Sequence, residues 1–160
     1  MADYFPANIR IGGPIPRTIL NDLISTILAE GASCDDYGGP EYNRDELRKD
    51  MREGVTVPLF NDRACCGQFK DLEAFLVKHG IHFDRHSDSY REFNAENVFY
   101  RGGPECVVML ADQDGHNLVR CCDVLEILDD TTADDQARLK AIRHLVAPPE
   151  TETLTTIRFV

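Results

Sequence analysis

At 160 residues, 42% of them hydrophobic and 28% charged, the chain has the length of one domain and enough apolar material to bury about two-thirds of its unfolded surface. Its 28 acids against 17 bases leave a net charge of −11, which disfavours direct nucleic-acid binding, since phosphate contacts need a basic stripe. No apolar run approaches the roughly 20 residues of a membrane span, and no basic stretch leads into an apolar signal core, so a soluble, cytosolic protein is expected.

In chain order, Ile9 and Ile11 around Arg10 predict a short strand that Gly12-Gly13-Pro14 ends. Ile19, Leu20, Leu23, Ile24, Ile27 and Leu28 recur at helical spacing, predicting a helix to about Ala29 with Gly31 as its stop. Residues 32–42 are turn-rich and predict a surface loop. Asn43 with Glu46 three positions later is the pattern of a capping box, opening a polar helix with Leu47 and Met51 inward and Gly54 past its end.

Residues 54–88 carry the clearest fold signal. Val55, Val57 and Leu59 alternate with Thr56 and Pro58; Pro58 has no N–H to donate, which places this strand at a sheet edge or a bulge. Phe69, Leu72, Phe75, Leu76 and His79 then stack on one helix face, Gly80 closes the helix, and Ile81 and Phe83 restart a period of two. Strand, crossover helix and strand this closely joined predict a parallel β-α-β unit. Tyr90 and Phe93 are candidate anchors of the loop that follows. Val98 and Tyr100 predict a strand, and the run Cys106–Ala111 predicts an interior strand buried on both faces. Asp112-Gln113-Asp114-Gly115 turns back into Leu118 and Val119 as a hairpin. Helices are expected around Val124–Leu128 and Ala137–Val146, the second ended by Pro148-Pro149, and Ile157 with Phe159 predicts a closing strand. The Gly-Gly-Pro triplets at Gly12, Gly38 and Gly102 lack matching flanks and read as turns. The expected fold is a single α/β or α+β domain over residues 1–160, with a mixed sheet of five or six strands, helices packed on it and a central β-α-β unit.

Six cysteines, Cys34, Cys65, Cys66, Cys106, Cys121 and Cys122, form no C-x-x-C pair, and the two adjacent pairs would bridge only with strain. Reduced thiols are expected. Cys65 and Cys66, read as lying at the mouth of the central helix, are candidates for an activated nucleophile, with burial as small hydrophobes the simpler reading; Cys121 and Cys122 read as structural. His82, Asp84 and His86 alternate along one strand face with Asp88, so a hydrolytic zinc site is conceivable, against the plainer reading of a solvated polar row. Asp112, Asp114 and Gly115 fit only part of a calcium loop, and a hairpin turn is favoured. Phosphate-loop and dinucleotide fingerprints are absent. No catalytic residue, metal or cofactor is therefore assigned.

Charge is the remaining signal. Between Glu105 and Asp135 the sequence holds nine acids and one base, Arg120. The plain reading is a solubilising face; the functional one is a carboxylate display that imitates a phosphate track and occupies the basic nucleic-acid groove of a partner. Small acidic inhibitors of restriction and RNA-guided (CRISPR) defence complexes share this composition, an analogy of class that no motif narrows to a family. The leading expectation is a non-enzymatic, acidic protein-binding module, contacting its partner through Asp112, Asp114, Asp123, Glu126, Asp129, Asp130, Asp134 and Asp135. The alternatives are a small metal-dependent hydrolase built on His82, Asp84 and His86, a cysteine enzyme built on Cys65 or Cys66, and a self-associating subunit, such as a homodimer, paired through an edge strand.

Overall fold

The computed structural model describes residues 3–34 and 39–160; Gly38, which opens the second Gly-Gly-Pro triplet, and part of the 32–42 loop lie outside them. Its main sheet has six strands: β1 (Tyr4–Gly12), β3 (Val57–Cys65), β4 (His82–Ser87), β5 (Glu96–Tyr100), β6 (Val107–Ala111) and β7 (Asn117–Leu118). They lie in the order β3-β1-β4-β5-β6-β7, and every neighbouring pair is antiparallel. A separate parallel pair joins β2 (Pro14–Ile15) to β8 (Arg158–Phe159). Five helices accompany the sheets: α1 (Leu20–Ala29), α2 (Arg44–Glu53), α3 (Lys70–Lys78), α4 (Cys121–Asp129) and α5 (Asp135–Val146). The protein is thus an α+β domain, with its parallel and antiparallel pairings in different sheets.

The strand-helix-strand unit forms, but β1 lies between its two strands, so β3 and β4 point the same way without touching. The sequence carries the reason. β1 alternates Phe5, Ala7, Ile9 and Ile11 inward over nine residues, all buried, and such a row belongs inside a sheet. β3 carries Pro58 and the polar run Asn61-Asp62-Arg63, which suit an edge. Ser33 covers part of that edge by exchanging backbone bonds with Phe60 at 2.8 and 3.0 Å. The loop expected at the surface therefore has Ala32 and Ser33 buried against the sheet.

One face of β3, β1 and β4 packs on α1, α2 and α3. Ile9, Ile11, Val57, Leu59 and Phe83 meet Leu23, Ile24, Ile27, Leu47, Met51, Leu72 and Leu76 there, and full burial of each large side chain is worth about 1.5–3 kcal/mol. The capping box forms as its spacing implies: Asn43 Oδ1 accepts from the N–H groups of Asp45 and Glu46, and Glu46 accepts from Asn43 N–H. α3 lacks a capping side chain of its own at Phe69, and two glutamates serve its first turn. Glu73 accepts from Phe69 N–H at 2.9 Å, and Glu30, at the end of α1, accepts from Leu72 N–H at 3.1 Å. Burial raises the Glu30 pKa, and the Leu72 bond opposes that rise.

Arg85 extends the inward row of β4 and is 3% exposed. It donates to Gly67 O at 2.8 Å and pairs with Glu73 of α3 and Glu96 of β5. Its Nε approaches Glu73 within 3.0 Å without the alignment of a hydrogen bond. The turn it holds is tight: a Cβ at Gly67, whose φ is +67°, would lie 2.4 Å from the Phe5 ring. Tyr90 and Phe93 bond reciprocally through their backbones and pack on Phe5, as expected of anchors.

β6 departs from expectation. It is not buried on both faces: Met109 and Ala111 are buried on the face they share with Asn97, while Val108 is 59% and Leu110 38% exposed on the other. Helices α1–α3 cover the β3 side of the sheet, and β6 has only the two-residue β7 beyond it. The outward row continues into Leu118, 47% exposed and paired with Leu110.

Candidate functional site

The uncovered row forms one side of a groove of about 700 Å³ between β6–β7 and the α4–α5 pair. Val108, Leu110 and Leu118 line it from the sheet, Leu145 from α5, and Asp123 and Glu150 bring carboxylates to it. Neither α4 nor α5 has a fully buried side chain. Val124 and Ile127 of α4 and Ile142 and Leu145 of α5 are half-buried, while Cys121, Leu125 and Leu128, spaced i, i+4, i+7 along α4, face solvent with Leu139 and Val146 of α5. Such spacing marks one helix face. Together with the sheet row, it leaves an apolar surface of the kind that monomeric proteins usually cover.

The eight candidate acids occupy varied settings. Asp112 Oδ1 accepts from the N–H groups of Asp114 and His116, and Oδ2 lies 3.0 Å from His116 Nδ1. These bonds hold its pKa below the ordinary value and raise that of His116. Asp123 takes a two-pronged contact from Arg120 at 2.8 and 3.0 Å, which lowers its pKa. Asp130 accepts from the hydroxyl and N–H of Thr132, Asp134 caps α5 through Ala137 N–H, and Asp135 pairs with Arg138. Asp114 borders a cleft on the other sheet face. Only Glu126 and Asp129 stand on α4 exposed and outside any ion pair among the described residues. α5 also adds Arg138, Lys140 and Arg143, so basic residues are interleaved with the carboxylates, of which Asp123 lines the apolar groove and Asp114 the cleft on the other face.

The polar row of β4 divides. His82 is wedged between two turns: a Cβ at Gly13 would lie 2.7 Å from its Nδ1, and one at Gly102 would lie 3.5 Å from its Nε2. Burial and the Arg101 charge lower its pKa. Asp84 contacts Arg101 at 2.6 Å, and its pKa is raised by burial against the pull of Arg101. His86 joins a network through Asn97. The three side chains do not converge; among the described residues, the triple whose ligand atoms come within 4.8 Å of one another is Asp112, Asp114 and His116, exposed on the hairpin turn.

All six cysteines are free thiols. Cys65 ends β3 and Cys66 follows at φ +53°, a conformation uncommon outside glycine. α3 begins only at Lys70, so neither thiol lies in its first turn, where a helix would favour thiolate. Desolvation, followed by the Cys66 thiol, raises the pKa of Cys65. Cys121 and Cys122, expected to be structural, are exposed in the first turn of α4. Sequence reasoning missed Val108, Leu118 and Leu145 as site residues, because an apolar row looks alike whether a layer covers it or not.

No helix is long and apolar enough to cross a membrane among the described residues. No protein-family model matches the chain, and neither a curated protein nor a solved structure matches it significantly.

Proposed function

We propose that this protein is a non-catalytic binding module that docks on a partner protein through the groove between β6–β7 and α4–α5. The supporting observation is the row Val108, Leu110 and Leu118, exposed along a groove whose opposite wall is a helix pair with no fully buried residue. Apolar anchors supply most of the affinity of an interface, and charges around them set approach and selectivity. With Glu126 and Asp129 exposed on the same helix as Leu125 and Leu128, the complementary partner presents aliphatic or aromatic anchors flanked by lysine or arginine. The basic groove of a nucleic-acid-handling protein offers that chemistry, and occupying it would inhibit or regulate that protein.

The test is affinity capture from the native cell at low and raised salt, comparing the natural protein with Val108→Asp/Leu118→Asp and Glu126→Lys/Asp129→Lys variants. The apolar double variant is expected to lose the captured protein while melting normally. The charge-reversed variant is expected to associate more slowly at low salt and to approach the natural rate as salt screens both. Equal capture by the natural protein and the apolar variant would refute the reading, and so would a homodimer that the apolar substitutions split.

A further inference from the structure

The sheet face opposite α1–α3 holds a second cavity, a polar cleft of about 670 Å³, within the range of small-molecule sites. Its sides come from alternate residues of β1, β4 and β5, while the β6–β7 turn and Thr151 border it. Asn97, 7% exposed, organises it. Its Nδ2 donates to Gly115 O and to Asn117 Oδ1, each at 2.7 Å. A backbone carbonyl can only accept, so this contact fixes the amide orientation and leaves Asn97 Oδ1 as the acceptor 2.8 Å from His86 Nδ1. His86 must therefore carry a proton on Nδ1.

Its other nitrogen, Nε2, lies 3.4 Å from Asp88 Oδ1. In a neutral ring with the proton on Nδ1, Nε2 is a bare lone pair, so two acceptors face one another. A ligand N–H placed between them would satisfy both acceptors at once. Asp114 borders the same end, next to the Gly115 carbonyl that Asn97 holds. Two residues along the strands, roughly 7 Å away, the charge reverses: Arg101 neutralises Asp84, and Arg10 opposite Asp84 is a surplus cation. Phe99, also opposite Asp84 and half-buried, gives an apolar wall.

We infer that this cleft binds a small zwitterion, its ammonium donating to His86 Nε2 and the Asp88 and Asp114 carboxylates and its carboxylate meeting Arg10, with an aliphatic spacer along Phe99. The site lies on the opposite sheet face from the exposed row of β6 and does not rest on the proposed partner docking.

The probe is 5-aminopentanoate, with pentanoate and pentylamine as analogues that each lack one charged end. The measurements are calorimetry and long-range proton–nitrogen spectra of histidine-labelled protein. The free protein should show a proton on His86 Nδ1, the nitrogen that faces the Asn97 oxygen. The zwitterion should give a saturable shift at His86 Nε2 with none at His79 or His144. Each one-ended analogue should bind about tenfold more weakly, corresponding to roughly 1.4 kcal/mol per lost contact. Asp88→Asn should weaken the zwitterion and pentylamine but not pentanoate; Arg10→Gln should weaken the zwitterion and pentanoate but not pentylamine. Both substitutions are at exposed positions, and unchanged melting checks the fold. A free His86 ring with its proton on Nε2 and none on Nδ1, absence of a saturable shift at millimolar probe, or binding indifferent to Asp88→Asn would each overturn the inference.

Discussion

Arg85 places a full positive charge where water cannot reach it, and its two glutamates and one carbonyl tie α3, β4 and β5 to the Gly67 turn. Replacing one partner of such a cluster leaves the others desolvated. Arg85→Met is therefore expected to cost about 3–5 kcal/mol, read as a lower urea midpoint with an unchanged slope. The alternation Ile81, Phe83, Arg85, Ser87 already puts this arginine on the inward row; its partners, 11 and 12 residues away, were not legible. At Asp112 and His116 the shifts are those of an exposed, hydrogen-bonded pair. The raised His116 pKa supports the hairpin turn below the unfolded histidine value, and that support fades as pH rises through the folded value. The lowered Asp112 pKa supports it above the unfolded aspartate value, and that support fades as acid protonates the folded carboxylate. Proton NMR should find His116 titrating above an ordinary histidine, and Asp112→Asn should return it towards that value.

At the level of elements, what is local in sequence is what was readable. Asn43 and Glu46 are three residues apart, and the box they form needs nothing beyond the helix itself. Asn43→Ala should cost about 1 kcal/mol, measured by denaturant unfolding, without dislodging α2, because Leu47 and Met51 still anchor its inner face. The Asp112–Gly115 turn and the Tyr90–Phe93 anchors were legible on the same terms. β6 was not. Cys106–Ala111 is apolar throughout, and whether a second layer covers such a strand depends on the placing of distant helices. The insertion of β1 between β3 and β4 was hidden for the same reason, since strand order is a non-local property, although Pro58 narrowed β3 to an edge or a bulge and the strand lies at the edge.

Across the whole molecule, cover is uneven. The fully apolar cluster draws on β1, α1, α2, β3, α3 and β4, with Val98 and Tyr100 of β5 and Ile157 at its margin, and takes nothing from α4 or α5. Local opening follows the supply of buried apolar contacts. Amide hydrogen exchange should therefore rank α1 and β1 as the slowest segments and α4 and α5 among the fastest; comparable protection of α4 and α1 in the isolated protein would contradict that order. The acidic surface was legible as composition, but its pairing with Arg120 and Arg138 and its dispersal into caps were not, because they depend on rotamers and turns.

That lopsided construction separates two demands usually made of the same residues. Side chains on the outer rim of β6, β7 and α4 contribute little to keeping the chain folded, so substitutions there can accumulate while the interior stays intact. If the proposed docking holds and the partner altered its surface, this protein could follow it by changing a handful of solvent-facing positions, with the scaffold free to remain as it is.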